Sequence, residues 1–110
     1  MADPEKGCAL RLYIDEGDKI DGKPVFEAIV QKAEELGMAG ATVMRASMGF
    51  GPNKQLHTAK VLRLSADLPV TIEIVDTRER IDELLPHLEK MIGGGLATLE
   101  PVEIRRYGAS

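Results

Sequence analysis

CALRLYID, residues 8–15, alternates without a break: Leu10, Leu12 and Ile14 point one way, and Arg11, Tyr13 and Asp15 point the other. A period of two with one apolar face marks a half-buried strand. Downstream, EGDKIDG reads as a polar loop, and Pro24 is expected at the first helical position, where its missing N–H is not needed. Phe26, Ile29, Val30, Ala33 and Leu36 then recur at helical spacing, and Gly37 is a natural stop. A second strand is expected over 42–49, with Met44, Ala46 and Met48 on one face and Val43, Arg45 and Ser47 on the other.

VTIEIV, residues 70–75, is the third strand, with Val70, Ile72 and Ile74 inward. Asp76 is expected to cap the second helix, with Glu79 as the acid of a capping box. Ile81, Leu84, Leu85, Leu88, Met91 and Ile92 form its apolar stripe. Pro86 inside the stripe is expected to kink the helix or displace its start, and Gly93, Gly94 and Gly95 end it. The last strand is expected over 101–106, with Val102 and Ile104 inward and Glu103 and Arg105 outward.

The order strand, helix, strand, strand, helix, strand describes an α+β domain. Two helices cover only one face of a four-stranded antiparallel sheet. The ferredoxin-like βαββαβ arrangement follows, with the first and third strands central. Its other face would carry Arg11, Tyr13, Arg45, Glu73, Glu103 and Arg105. These mixed charges suit either a solvated face paired across strands or a subunit interface.

The chain has 110 residues, 44% hydrophobic and 29% charged, which fits one domain over 1–110 with an ordered core at about 8–106. Its net charge of -4, 4% aromatics and absent Trp argue against nucleic-acid binding, which needs a basic footprint or stacking aromatics. No apolar run approaches the roughly 18 residues of a membrane helix, so direct membrane insertion is not expected. MADPEKG, at the start, is too polar for a secretory signal, and the single Cys8 cannot form an internal disulfide. A soluble, cytoplasmic protein is expected.

The stretch GFGPNKQLHTAKVLRLSADLP, 49–69, is long for a hairpin connection, and such loops are usually functional or mobile. Gly49 and Gly51 flank Phe50, and Lys54 follows. Glycine backbone there can form an anion-binding nest to which Lys54 adds a charge, although a plain hairpin tip explains the same residues. The Walker pattern GxxxxGK[ST] is absent. One glycine would suffice to end the second helix, so Gly93, Gly94 and Gly95 together suggest a chain passing close to something. Arg105 and Arg106 suit a carboxylate or phosphate, or simply a solvated strand end.

His57 and His87 have no cysteine pair to complete a zinc site. Asp15, Glu16, Asp18 and Asp21 lack EF-hand spacing. Cys8 has no evident base, and neither Ser47 nor Ser65 sits in a G-x-S-x-G elbow. The chain is therefore not expected to be an enzyme.

GKPVFEAIVQKAEELGMAGATVMRASMGFG, HTAKVLRLSADLPVTIEIVD and LLPHLEKMIGGGLATLEPVEI together resemble the DUF190 family, which is related to the PII signalling proteins. The likeness covers about residues 8–106. It implies a homotrimer of ferredoxin-like subunits that binds an adenine nucleotide, such as AMP, ADP, ATP or cyclic AMP, in clefts between subunits. No cofactor is implied beyond that ligand. Carried onto this chain, one wall is the loop 49–60, with Gly49, Phe50, Gly51, Lys54, His57 and Lys60. The other is Gly93, Gly94 and Gly95, with Arg105 and Arg106 near the phosphates. The mixed-charge sheet face becomes the trimer's inner surface. An ordered loop would then dock on a membrane transporter or channel, or on an enzyme target.

Two departures from the PII pattern stand out. The glycine-rich loop, GGGL, carries no lysine, and the long loop is shorter and has no tyrosine. A smaller adenine nucleotide or another anion fits as well as ATP. The same fold plan admits a CutA-like structural or metal-responsive trimer, with His57 and nearby acids as ligands. It also admits an acylphosphatase-type hydrolase, which the acidic EGDKIDG loop disfavours.

Overall fold

The alternating stretch becomes β1, Glu5–Asp15, in a computed structural model that describes residues 3–49, 57–58 and 68–108. The chain continues through β2 (Lys19–Ile20), β3 (Lys23–Pro24), α1 (Val25–Glu35), β4 (Ala41–Arg45), β5 (Met48–Gly49) and β6 (His57–Thr58). It ends with β7 (Pro69–Asp76), α2 (Arg78–Met91) and β8 (Leu96–Ile104). The main sheet has the order β4-β7-β1-β8 and is antiparallel throughout. Its first and third long strands are central, as the ferredoxin-like plan requires. β2 with β3, and β5 with β6, form separate two-stranded ribbons.

The apolar alternation does what it implied. Leu10, Leu12 and Ile14 of β1 lie beside Ile74, Ile72 and Val70 of β7 on one face. Val25, Ile29 and Ala33 of α1 and Ile81, Leu84 and Leu88 of α2 cover that face, and together they form the buried core. Each large side chain removed from water there contributes roughly 1.5–3 kcal/mol. Cys8 is buried at the edge of the same cluster.

Gly37 stops α1 as expected. It adopts φ 72, its N–H bonds Glu34 O at 3.0 Å, and the Met38 N–H bonds Ala33 O at 3.0 Å. That hydrogen-bond pair is a Schellman cap.

Several boundaries and faces differ from the expectation. Pro24 is the N-cap of α1 rather than its first residue, and it pairs with Lys19 in the ribbon. The second long strand stops at Arg45: the Ala46 N–H still reaches Pro69 O at 2.9 Å, but Pro69 has no N–H to return the bond. Its register sets Ala41, Val43 and Arg45 opposite Ile74, Ile72 and Val70. Val43 therefore faces the helices, Met44 faces away, and Arg45 belongs to the helix side, where it pairs with Glu16.

Thr77, not Asp76, caps α2: its hydroxyl accepts from Arg80 N at 3.4 Å. Glu79 then falls one position short of the capping-box site and serves the helix dipole instead. Asp76 is buried and accepts from Ala39 N at 3.0 Å and Thr77 N at 2.7 Å, tying the α1–β4 turn to the start of α2. The helix continues through Pro86, so the proline does not set its start.

β8 starts at Leu96 rather than at residue 101 and ends at Ile104. Its register places Val102 opposite Gly7 and Ile104 opposite Glu5, on the helix-free face, so Glu103 is on the helix side. A Cβ on Gly7 would lie 2.3 Å from Ile104 Cδ1, so the glycine leaves room for that side chain.

The core predicts a steep contrast in stability. Leu10→Ala, fully buried in wild type, should cost about 3 kcal/mol in chemical denaturation. Leu99→Ala on β8, already 38% exposed, should cost below about 1 kcal/mol.

Candidate functional site

β1 ends at Asp15, β7 begins opposite it at Pro69, and β8 begins opposite Tyr13 at Leu96. The segments leaving these three points therefore share one end of the sheet. The turn after β1 is tightly tied. Asp18 N bonds Asp15 O at 3.1 Å, the Asp18 carboxylate accepts from Asp15 N at 3.3 Å, and Val25 N bonds Asp18 O at 2.8 Å. The Glu16 N–H reaches Leu68 O at 2.8 Å.

The polar stretch EGDKIDG is more ordered than a loop. Asp21 and Gly22 have φ 51 and 78, and Ile20 pairs with Lys23 across them. Two consecutive positive φ angles are what the tight mirror-image hairpin turn needs, and Asp-Gly is its favoured sequence. Ile20 packs against the core, which turns its neighbour Lys19 outward.

Between this ribbon and the chain after α2 lies an open cleft of ≈ 340 Å³, lined by Ile14, Asp15, Asp18, Lys19, Val25, Gly93 and Gly94. The glycine triplet divides by role. A Cβ on Gly93 or Gly94 would meet nothing within 4 Å. A Cβ on Gly95 would stand 3.0 Å from both Tyr13 O and Ile14 Cγ2, and 3.2 Å from Ile92 Cγ2. Gly95 lets the chain pass close to β1, whereas Gly93 and Gly94 present open backbone to the cleft.

Gly49 stands at the same end: its missing Cβ would be 3.4 Å from Pro69 Cγ, and it pairs with His57. Phe50, Gly51, Lys54 and Lys60 lie outside the described residues, and of His57 only the backbone pairing is described. Arg105 and Arg106 are elsewhere. They follow Ile104, which pairs with Glu5 at the opposite end of β1. The nine residues of β8, at roughly 3.3 Å each, separate the two ends by about 30 Å. Arg105 reaches Glu103 at 3.2 Å, and Arg106 reaches Glu5 at 3.3 Å and Asp76 at 3.7 Å. One chain alone does not bring these arginines to the glycines.

On the helix-free face, Arg11 bonds Glu73 at 2.9 Å and Glu100 at 3.2 Å. The bond to Glu73, then that to Glu100, raises the guanidinium above its ordinary pKa. Mixed charges do pair across strands there. Beside them the same face exposes Met44 and Leu96, at 48% and 57%. Among the described residues, no group of three or more His, Cys, Asp and Glu side chains is placed to hold a metal ion.

Lys19 is the residue that motif reading passed over. The Asp21-Gly22 pair was its available signal, since it marks the hairpin that presents Lys19.

The DUF190 family model, described as an uncharacterized ACR, matches residues 7–104. The chain belongs to the DUF190 family. A UPF0166 protein of Aquifex aeolicus (strain VF5) is 39% identical over 95 residues, covering 86% of this chain and 90% of that one. A UPF0166 protein of Methanocaldococcus jannaschii is 37% identical over 87 residues, covering 79% and 80%. Among solved structures, CPII, a nitrogen regulatory PII-like protein from Thiomonas intermedia K12 bound to ADP, AMP and bicarbonate, superposes with TM-score 0.68. It is 16% identical and covers 94% of this chain and 92% of that one. This DUF190 chain therefore has a PII-like fold.

The division of the glycines is testable in the DUF190 chain by thermal denaturation. Gly94→Ala should leave stability within about 0.5 kcal/mol, because its Cβ enters open space. Gly95→Ala should cost on the order of 1–3 kcal/mol, because the Tyr13 carbonyl must give way.

Proposed function

We propose that this chain is a PII-like regulatory protein, not an enzyme, acting in the cytoplasm as a homotrimer of one domain per chain. It binds an adenine nucleotide, AMP, ADP, ATP or cyclic AMP, at the cleft between subunits. The observation that carries the reading is the convergence at one sheet end. The open backbone of Gly93 and Gly94 and the start of the long loop at Gly49 both stand beside the Asp15–Pro69 pair. CPII, of like fold, was solved with ADP and AMP bound.

Arg105 and Arg106 fit this reading only through a neighbouring copy, because their own chain holds them at the other end of the sheet. A closed ring of copies meeting head to tail does that by symmetry: each copy's far end meets the next copy's cleft. Of the two, Arg105 is the better candidate for phosphate, since its only described partner is the exposed Glu103. Arg106 is engaged by Glu5 and by buried Asp76. The loop 49–60, with Phe50, Gly51, Lys54, His57 and Lys60, closes over the ligand. Its ordered form docks on, or releases, a membrane transporter or channel, or an enzyme. No helix among the described residues is long and apolar enough to cross a membrane, so on this reading the chain meets such a target from outside the bilayer.

Light scattering on a sizing column should give a particle of three chains. Isothermal titration with AMP, ADP, ATP and cyclic AMP should give saturable heat with at least one of them. Arg105→Ala should weaken that binding by on the order of 1–3 kcal/mol, as for a lost charge-assisted bond, and leave the melting temperature unchanged. A monomer that gives no heat with any of the four contradicts the reading.

A further inference from the structure

Among the described residues that line the cleft beside the β2–β3 ribbon, Lys19 is the one cation. The β2–β3 ribbon holds this residue at its first position. Its backbone is tied by the Lys19–Pro24 pair, the Asp21-Gly22 turn and the Val25 N–H to Asp18 O bond. Ile20 is partly buried against the core, which helps hold the ribbon in place. The other lysine of the ribbon, Lys23, gives its ammonium to Gln31 at 2.6 Å. Lys19 makes no ion pair with any described residue. Across from it, Gly93 and Gly94 lay bare main chain with no side chain to screen it.

We propose that Lys19 and the open backbone of Gly93 and Gly94 form an anion subsite that takes a phosphate monoester. A flexible ammonium and glycine N–H groups are two devices by which a cleft holds phosphate. Asp15 and Asp18 share the cleft, so among its described lining residues Lys19 and the glycine backbone are the groups suited to an anion. The identity of the ligand as a nucleotide rests on the function proposed above, whereas the subsite itself does not.

The test titrates AMP and, separately, inorganic phosphate into wild type, Lys19→Ala and Lys19→Arg. Backbone amide NMR shifts of Gly93 and Gly94 are followed alongside. Lys19 is exposed, so both variants should keep the wild-type spectrum away from the cleft. AMP binding that moves both glycine amides, weakens roughly tenfold or more in Lys19→Ala and is largely kept in Lys19→Arg supports the subsite. AMP binding that is the same within twofold in Lys19→Ala overturns it and leaves the nucleotide reading standing. Lys19-dependent binding of phosphate without any binding of AMP keeps the subsite and sinks the nucleotide reading. Binding of neither by wild type overturns both.

Discussion

Everything in this fold hangs on β1, which is hydrogen-bonded along both of its edges. From Cys8 to Asp15 it pairs with β7, and from Glu5 to Tyr13 it pairs with β8. A strand in that position has nearly every amide satisfied by its neighbours, so its side chains alone decide which way the sheet faces. Leu10, Leu12 and Ile14 decide it, because leaving three large aliphatic groups in water costs several kcal/mol. The helices have one place to go. A register slip of one residue would put Arg11 and Tyr13 under them instead, which makes the register unambiguous.

That ladder also fixes where chemistry can happen. The helices occupy one face, and the other is laced by Arg11, Glu73 and Glu100. Open main chain is left at the sheet ends. At the Asp15 end the ribbon, the glycine loop and the start of the long connection meet, while the C-terminal arginines are carried to the Glu5 end. Antiparallel pairing of β1 with β8 makes this separation unavoidable within one chain. The proposed site therefore takes in both ends of the sheet only if a second copy supplies the arginines.

The central layer was legible in the sequence because its residues have no alternative. Leu10, Leu12, Ile14, Val70, Ile72 and Ile74 alternate with polar neighbours, and the α1 and α2 stripes are equally plain. The edges were not. In β4, Val43 and Met44 are adjacent apolar residues, so periodicity could not say which faces the core; pairing with Ile72 chose Val43. β8 is exposed along most of its length, so LATLE carries no buried alternation to announce a strand, and only its ladder with β1 defines it. Asp76 and Thr77 are both good caps. The pull of the Ala39 amide took Asp76 into the interior and left Thr77 to cap. At the site, the glycine triplet was visible but its internal division was not, since only the approach of Tyr13 O separates Gly95 from its neighbours. Lys19 was invisible as a candidate because its position depends on a turn of two residues and on Ile20 packing against the core.

The central claim is that the Asp15 end of one copy and the strand end of another together enclose an anionic ligand. A crystal structure of the protein grown with AMP tests it most directly. The account predicts a three-fold ring with ligand density between copies, its phosphate against Lys19, Gly93 and Gly94 of one copy and within reach of Arg105 of the next. Density confined to a single chain, or lying away from this cleft, would contradict it.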